Sequence, residues 1–320
     1  MPEAGVDRER IAWAVGRALQ TPPPGSHGET LALLVVHRGR LVLERYAPGK
    51  GPGDTFVSWS MAKSILHALV GVLVGEGRLE PLAPAPVPAW SAPGDPRREI
   101  QLEHLLRQVD GLDFVEVYED GQRSDVVDML FRAGKDDVAA FAEARPLAHA
   151  PGSVWNYSSG TSNIVSAIVG RTVGGGSVGM EAFMRQALFD AIGMKSATAR
   201  FDAAGTFIGS SYVFATARDF ARFGLLYLRD GVWDGRRVLP PGWVDHARRE
   251  TPQSAGWYGA HWWLALHDPG IFTATGFNGQ YVAVAPARDL VLVRLGISSP
   301  LQRPNVIRDL REIVESFPRG

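Results

Sequence analysis

Apolar and polar positions divide the chain into stretches of different period. From Asp7 to Gln20 (DRERIAWAVGRALQ) the apolar residues recur with helical spacing, and the following TPPPG, Thr21 to Gly25, ends that helix because proline cannot continue the hydrogen-bond ladder. Two β-rich runs, LALLVVH and RLVLERYA, flank Arg38-Gly39 and predict a hairpin. From about Ser60 to Val74 almost every side is apolar, the pattern of a helix buried between layers.

Proline-rich PLAPAPVPAW, beginning at Pro81, marks a change of regime. From there to about Ala247 helical patterns dominate: LEHLLRQ, DVVDMLFRAG, VAAFAEA, SNIVSAIVGRTV, MEAFMRQALFDAIG and TARDFARFGLLYLRDG. From Trp257 onward strand patterns return in HWWLALH, IFTATG, QYVAVAP and LVLVRLG, the last two joined by Ala287-Arg288-Asp289, before a closing helix NVIRDLREIVESF. Short connections favour antiparallel pairing, so the expected class is α+β, with one antiparallel sheet built from both chain ends and flanked by the terminal helices. Residues 1–77 and 246–320 are expected to form this discontinuous domain, and 78–245 a mostly helical one. A cleft between such parts is where distant side chains converge.

At 320 residues, 45% hydrophobic and 21% charged, the chain can bury a full core. Lys+Arg is 33 against Asp+Glu 34, a net charge of -1, so no basic field exists to hold a nucleic acid or an anionic membrane. With no cysteine, disulfides, thiol nucleophiles and cysteine metal sites are all excluded. The eight histidines form no H-E-x-x-H motif, and neither a metal nor a cofactor is expected. The apolar stretch Ile65 to Val74, interrupted by His67, is well short of the ~20 residues that cross a bilayer. The first thirty residues hold no run resembling a signal peptide, so a cytoplasmic protein without a membrane partner is expected. Only Lys50, Lys63, Lys135 and Lys195 are lysines, which makes Lys63, within an apolar helix, conspicuous.

Ser60 and Lys63 form the chain's single Ser-x-x-Lys, a spacing that puts both on one helix face. A serine hydroxyl is a poor nucleophile until a base takes its proton, and lysine is such a base when burial or nearby positive charge lowers its pKa. Arginine could not substitute, because it stays protonated. The bland alternative makes Ser60 a helix cap and Lys63 a snorkelling surface residue. A second feature is Trp155-Asn156-Tyr157-Ser158-Ser159-Gly160, where an extended stretch would turn Tyr157 and Ser159 to one side. The phenol could relay protons there, or merely cap a helix starting near Ser162. The third is Ala274-Thr275-Gly276-Phe277-Asn278-Gly279-Gln280, where Gly276 admits close backbone approach. The N–H groups of Phe277 and Ser60 could form an oxyanion hole, and an ordinary hairpin is the alternative. Gly175 to Gly179 matches G-x-S-x-G but falls between helical patterns and is read as a linker.

Together Ser60-x-x-Lys63, Tyr157-x-Ser159 and Ala274-Thr275-Gly276 resemble, in order and separation, the motifs of the serine β-lactamase and penicillin-binding-protein superfamily. The segments SMAKS, HAPGSVWNYSSGTSN, GSSYVFATARDFARFGLLYLRDGVWDG, YGAHWWL and TGFNGQ resemble its class C-like branch, which includes 6-aminohexanoate-dimer hydrolase and related esterases. This resemblance runs from about Leu31 to Gly296. It implies a β-lactamase/transpeptidase-like fold, with Ser60 as acylated nucleophile, Lys63 as base partner and Tyr157 as proton-transferring third member. It also implies substrate contacts at Tyr118, Ser159, Thr275 and Gly276. Ser159 stands where asparagine is usual, and Tyr118, in GLDFVEVYEDGQRSD, resembles a loop tyrosine that contacts the scissile amide nitrogen.

Ala274 departs from the lysine or histidine usual at its position. An anionic β-lactam or peptide C-terminus would there forgo a charge-assisted hydrogen bond worth roughly 1.5–3 kcal/mol. The expectation is therefore a serine hydrolase for small esters or non-peptide amides, working through a covalent acyl-enzyme. A β-lactamase and a slowly acylated, non-catalytic sensor are the alternatives. Oligomeric state is not legible in the pattern.

Overall fold

The computed structural model describes residues 5–19, 28–118, 121–264 and 270–320. Helix α1 (Arg8–Leu19) lies where the first helical period was expected, while the proline run Thr21 to Gly25 falls outside the described residues. The hairpin around Arg38-Gly39 forms from β1 (Glu29–His37) and β2 (Arg40–Tyr46), with both turn residues at positive φ. A short β3 (Thr55–Val57) then leads into α2 (Met61–Gly75), in which twelve residues are buried, as its nearly uninterrupted apolar sequence requires.

The middle of the chain is mainly helical: α3 (Leu102–Arg107), α4 (Asp125–Phe131), α5 (Val138–Glu143), α6 (Ser159–Val173) and α7 (Gly176–Met184). Strands β4 (Thr198–Ala199) and β5 (Val213–Thr216) pair in a small sheet with β3, and α8 (Ala217–Leu228) follows. A two-residue hairpin, β6 (Val232–Trp233) with β7 (Arg236–Arg237), precedes α9 (Trp243–Arg248). The chain closes with β8 (Phe272–Gly276), β9 (Gln280–Ala285), β10 (Leu290–Ile297) and α10 (Arg303–Glu315).

The main sheet is antiparallel in the order β2-β1-β10-β9-β8, so the two chain ends meet in its centre. Val35 pairs with Leu292 on one side and with Leu43 on the other. Strand periodicity then sorts β1 between two cores. Ala32, Leu34 and Val36 join the large core shared with α2 and α8, whereas Leu33 and Val35 pack with Ala14, Val15, Leu310 and Ile313 of the terminal helices. Gly224 lets α8 lie close to the sheet, since a Cβ there would come within 2.6 Å of Val291.

Three expectations are corrected. HWWLALH is not a strand among the described residues: only Trp263 bridges to Tyr258 and Thr273, because His261 turns the chain at positive φ, and residues 265–267 lie outside the described set. Helix α6 begins at Ser159 rather than near Ser162, since the Ser158 hydroxyl caps it by accepting from the Thr161 N–H at 3.0 Å. MEAFMRQALFDAIG is not one regular helix: α7 starts at Gly176, inside the stretch read as a linker, and loosens into a π-helical turn over Arg185–Phe189. No helix among the described residues is long and apolar enough to cross a membrane.

Candidate active site

Ser60 sits at the N-cap of α2, directly after Trp59, whose φ of 44° makes a sharp turn that bulky residues rarely adopt. Ser58 holds this turn against the start of β5: its N–H donates to the Val213 carbonyl at 2.8 Å, and its hydroxyl accepts from the Val213 N–H at 3.0 Å. The Ser60 hydroxyl makes no capping bond. Lys63, one turn along, is only 1% exposed. Both bland readings therefore fail, for the serine hydroxyl is not spent on the helix and the lysine does not snorkel.

The Lys63 amine lies 3.1 Å from Ser60 Oγ, 3.0 Å from Ser159 Oγ and 3.0 Å from the Ser210 carbonyl oxygen. Burial brings its pKa down to about 8 from the ordinary 10.5, opposed by the Glu116 charge. A neutral amine has two N–H bonds and one lone pair. The Ser210 carbonyl can only accept. The Ser159 hydroxyl donates to Glu116 Oε1 at 2.7 Å, so toward Lys63 it too is an acceptor. With both N–H bonds so placed, the lone pair of the neutral amine faces Ser60 Oγ, the oxygen to which the protonated amine donates its third hydrogen bond.

Glu116 is the residue that sequence reasoning passed over. It also accepts the Ser159 N–H at 2.7 Å and the Tyr118 hydroxyl at 2.8 Å, tying the loop before α4 to the start of α6. The available signal was an acidic residue two positions before the tyrosine already singled out. The Ser210 carbonyl carried no signal, since any residue supplies one; its position depends on the buried Asn163, whose side-chain oxygen accepts the Ser210 N–H at 3.1 Å.

Tyr157 is held on a loop before α6. Gln108 accepts the Asn156 N–H with its backbone and the Ser158 N–H with its side chain, and the Asn156 amide donates to the Phe114 carbonyl. The Tyr157 ring lies 4.9 Å from Lys63 Nζ and 5.1 Å from the Trp263 ring. Burial raises the phenol pKa further than hydrogen bonds with Ser60 and Trp263 lower it, so the group stays protonated near neutral pH. Tyr157 and Ser159 do converge on Lys63, although the stretch is not extended throughout: Ser158 is extended and Ser159 already belongs to α6.

A cavity of about 160 Å³ opens beside Ser60 and is lined by Tyr118, Tyr157, Thr275, Gly276 and Phe277 among others. Gly276 is required here, because a Cβ would come within 2.3 Å of the Ser58 carbonyl oxygen. Tyr118 and Phe277 meet at the mouth with ring centroids 5.0 Å apart and planes tilted by 33°, both partly exposed. Ala274 leaves no cation at its own position, but Arg303, at the start of α10, reaches the same cavity. Its guanidinium lies 5.8 Å from the Trp263 ring and pairs with no carboxylate among the described residues.

The model of the family described as Beta-lactamase matches residues 19–311. The 6-aminohexanoate-dimer hydrolase of Paenarthrobacter ureafaciens is 28% identical over 285 residues, spanning 83% of this chain and 72% of that one. A penicillin-binding-protein homologue from Caulobacter crescentus superposes with a TM-score of 0.72 at 18% identity, covering 98% of this chain and 99% of that one. A family VIII carboxylesterase superposes with a TM-score of 0.67 at 14% identity, covering 96% and 97%. These two structures share the fold.

Proposed function

The chain belongs to the beta-lactamase family, and from that premise we propose that it hydrolyses ester or amide bonds of small substrates through an acyl-enzyme on Ser60. The observation that carries this reading is the buried Lys63 amine 3.1 Å from Ser60 Oγ, with both N–H bonds engaged elsewhere. Lys63 takes the hydroxyl proton as Oγ bonds to the substrate carbonyl carbon. The N–H groups of Ser60 and Phe277 receive the developing oxyanion. As the intermediate collapses, the bond to the alcohol or amine breaks, and the leaving group takes its proton from Lys63 by way of the Tyr157 phenol. Water then attacks the acyl carbon as Lys63 takes one of its protons, and when the bond to Ser60 Oγ breaks that proton passes from Lys63 back to Oγ and the acid is released. Tyr118, Thr275 and Gly276 border the substrate, whereas Ser159, expected to do so, is buried behind Lys63, bonded to it and to Glu116, and is not among the residues lining the cavity.

The similarity to 6-aminohexanoate-dimer hydrolase and the fold shared with a carboxylesterase support hydrolysis of amides or esters. Ser60→Ala is expected to lower turnover of short-chain p-nitrophenyl esters by at least about 10³-fold without loss of fold. Unchanged turnover refutes the assignment. A second reading, turnover of carboxylate-bearing amides including β-lactams, is favoured by one feature, Arg303 on the cavity wall, which pairs with no carboxylate among the described residues. Nitrocefin hydrolysis that falls in Arg303→Ala tests it.

A further inference from the structure

Arg294 of β10 is a buried cation that the reaction above does not use. Its side chain is 1% exposed and pairs with no carboxylate among the described residues. Instead every donor finds a neutral oxygen. Nη1 donates to the Gly279 carbonyl at 2.6 Å and the Asn278 carbonyl at 3.3 Å, Nη2 to the Glu29 carbonyl at 3.0 Å and Ser298 Oγ at 2.8 Å, and Nε to Thr30 Oγ1 at 3.2 Å. Burying an ion among neutral partners is costly, and simple packing would be better served by an apolar side chain.

The surroundings are shaped around the guanidinium. A Cβ at Gly279 would lie 2.4 Å from Nη1, and one at Gly296 would lie 2.5 Å from Cζ, so two glycines vacate the space it fills. Above it is the turn Phe277–Gly279, which carries two successive left-handed residues, Asn278 at φ 61° and Gly279 at φ 79°. Asn278 has no glycine freedom and holds this conformation against a steric cost. Its carbonyl is fixed from below by Arg294 and by the Ser298 N–H at 3.0 Å. Asn278, Gly279 and Ser298 line the same cavity as Ser60.

We propose that Arg294 is a positioning residue: by clamping the carbonyls of Asn278 and Gly279 together with Ser298, its planar fork aims the Phe277 N–H at the site where the carbonyl oxygen of a substrate becomes an anion. This rests on the reading of Phe277 as an oxyanion donor. Lysine keeps the charge but cannot span these acceptors, because its ammonium is a point charge and not a rigid fork. The role is specific to the oxyanion, so it is read by comparing an ester with its thionoester, whose sulfur is a weak hydrogen-bond acceptor and gains little from a well-aimed N–H.

The test measures kcat and KM of wild type and Arg294→Lys on a matched p-nitrophenyl ester and thionoester. Wild type is expected to prefer the ester strongly. In the variant, ester kcat is expected to fall about 10- to 100-fold, the cost of misaligning one oxyanion donor. KM should stay within about threefold and the thionoester rate should change little, so the preference narrows. A fold defect alone would lower both rates equally and leave the ratio intact. An unchanged ratio in the variant, with wild type discriminating, overturns the role of Arg294. A wild type without discrimination overturns the oxyanion reading itself, whatever Arg294 does. If Arg294→Lys does not fold, Ser298→Ala removes one acceptor from the same guanidinium and is read by the same ratio, with a smaller narrowing expected and no narrowing contradicting the clamp.

Discussion

Lys63 and Glu116 grip one hydroxyl from opposite sides: Ser159 Oγ stands 3.0 Å from the amine and 2.7 Å from the carboxylate. The two charges therefore communicate across a single oxygen instead of forming an ion pair. A direct pair would hold the lysine protonated and remove the base. The intervening serine keeps the carboxylate near enough to orient the amine while burial still lowers its pKa to about 8.

The sign of Glu116's effect on catalysis follows. Its charge raises the Lys63 pKa against the larger lowering by burial. Glu116→Gln removes that charge, so Lys63 loses its proton at lower pH. In wild type, kcat/KM is expected to rise with pH through about 8 as the amine becomes neutral. The rise in Glu116→Gln should move to lower pH, as checked by pH profiles of p-nitrophenyl ester hydrolysis. A profile that stays in place shows that Lys63 is not the group titrating.

Ser159→Ala deletes the shared hydroxyl. It leaves the buried amine one acceptor short and releases Glu116 from one of its two contacts with Ser159. A hydrogen bond to a charged group is worth about 1.5–3 kcal/mol, so kcat/KM should drop about 10- to 100-fold. Circular dichroism should be unchanged. Ser159→Asn is expected to recover part of the loss, because its amide supplies both an acceptor for Lys63 and a donor for Glu116.

Gly276→Ala tests the close approach of β8 to the turn before α2. The new methyl would lie 2.3 Å from the Ser58 carbonyl oxygen, and Ser58 is bonded to β5 on its far side and cannot retreat freely. Overpacking of this kind costs about 1–3 kcal/mol. Thermal denaturation should show the loss, and ester turnover should fall by more than the folded fraction explains. A variant of wild-type stability and activity contradicts the steric account.

How far the sequence revealed this arrangement depended on the distance over which each contact is made. Ser60 and Lys63 are one helical turn apart, so spacing alone placed them together. The β-rich apolar runs of β1, β9 and β10 likewise announced the sheet, because such a run is a local signal. Ser159 was recognised as a neighbour of Tyr157 for the wrong backbone reason: extended geometry was assumed, whereas the Ser158 cap starts α6 at that point. Glu116, the Ser210 carbonyl and Arg294 were silent, for each makes contacts with a segment far along the chain, 43, 147 and 265 positions away respectively, and no periodicity encodes such meetings. Arg303 was hidden differently. The motif around Ala274 directed attention to a missing cation in β8, while the one bordering the cavity comes from α10.

Phosphonylation by a fluorophosphonate, followed by peptide mapping, probes the proposed activation of Ser60 most directly, since Oγ bonds to phosphorus as fluoride leaves and the adduct persists. The account predicts one label, on Ser60, at a rate that rises with pH through about 8, and no comparable labelling in a folded Lys63→Arg variant, whose guanidinium stays protonated. Labelling of another residue, or an undiminished rate in Lys63→Arg, would contradict it.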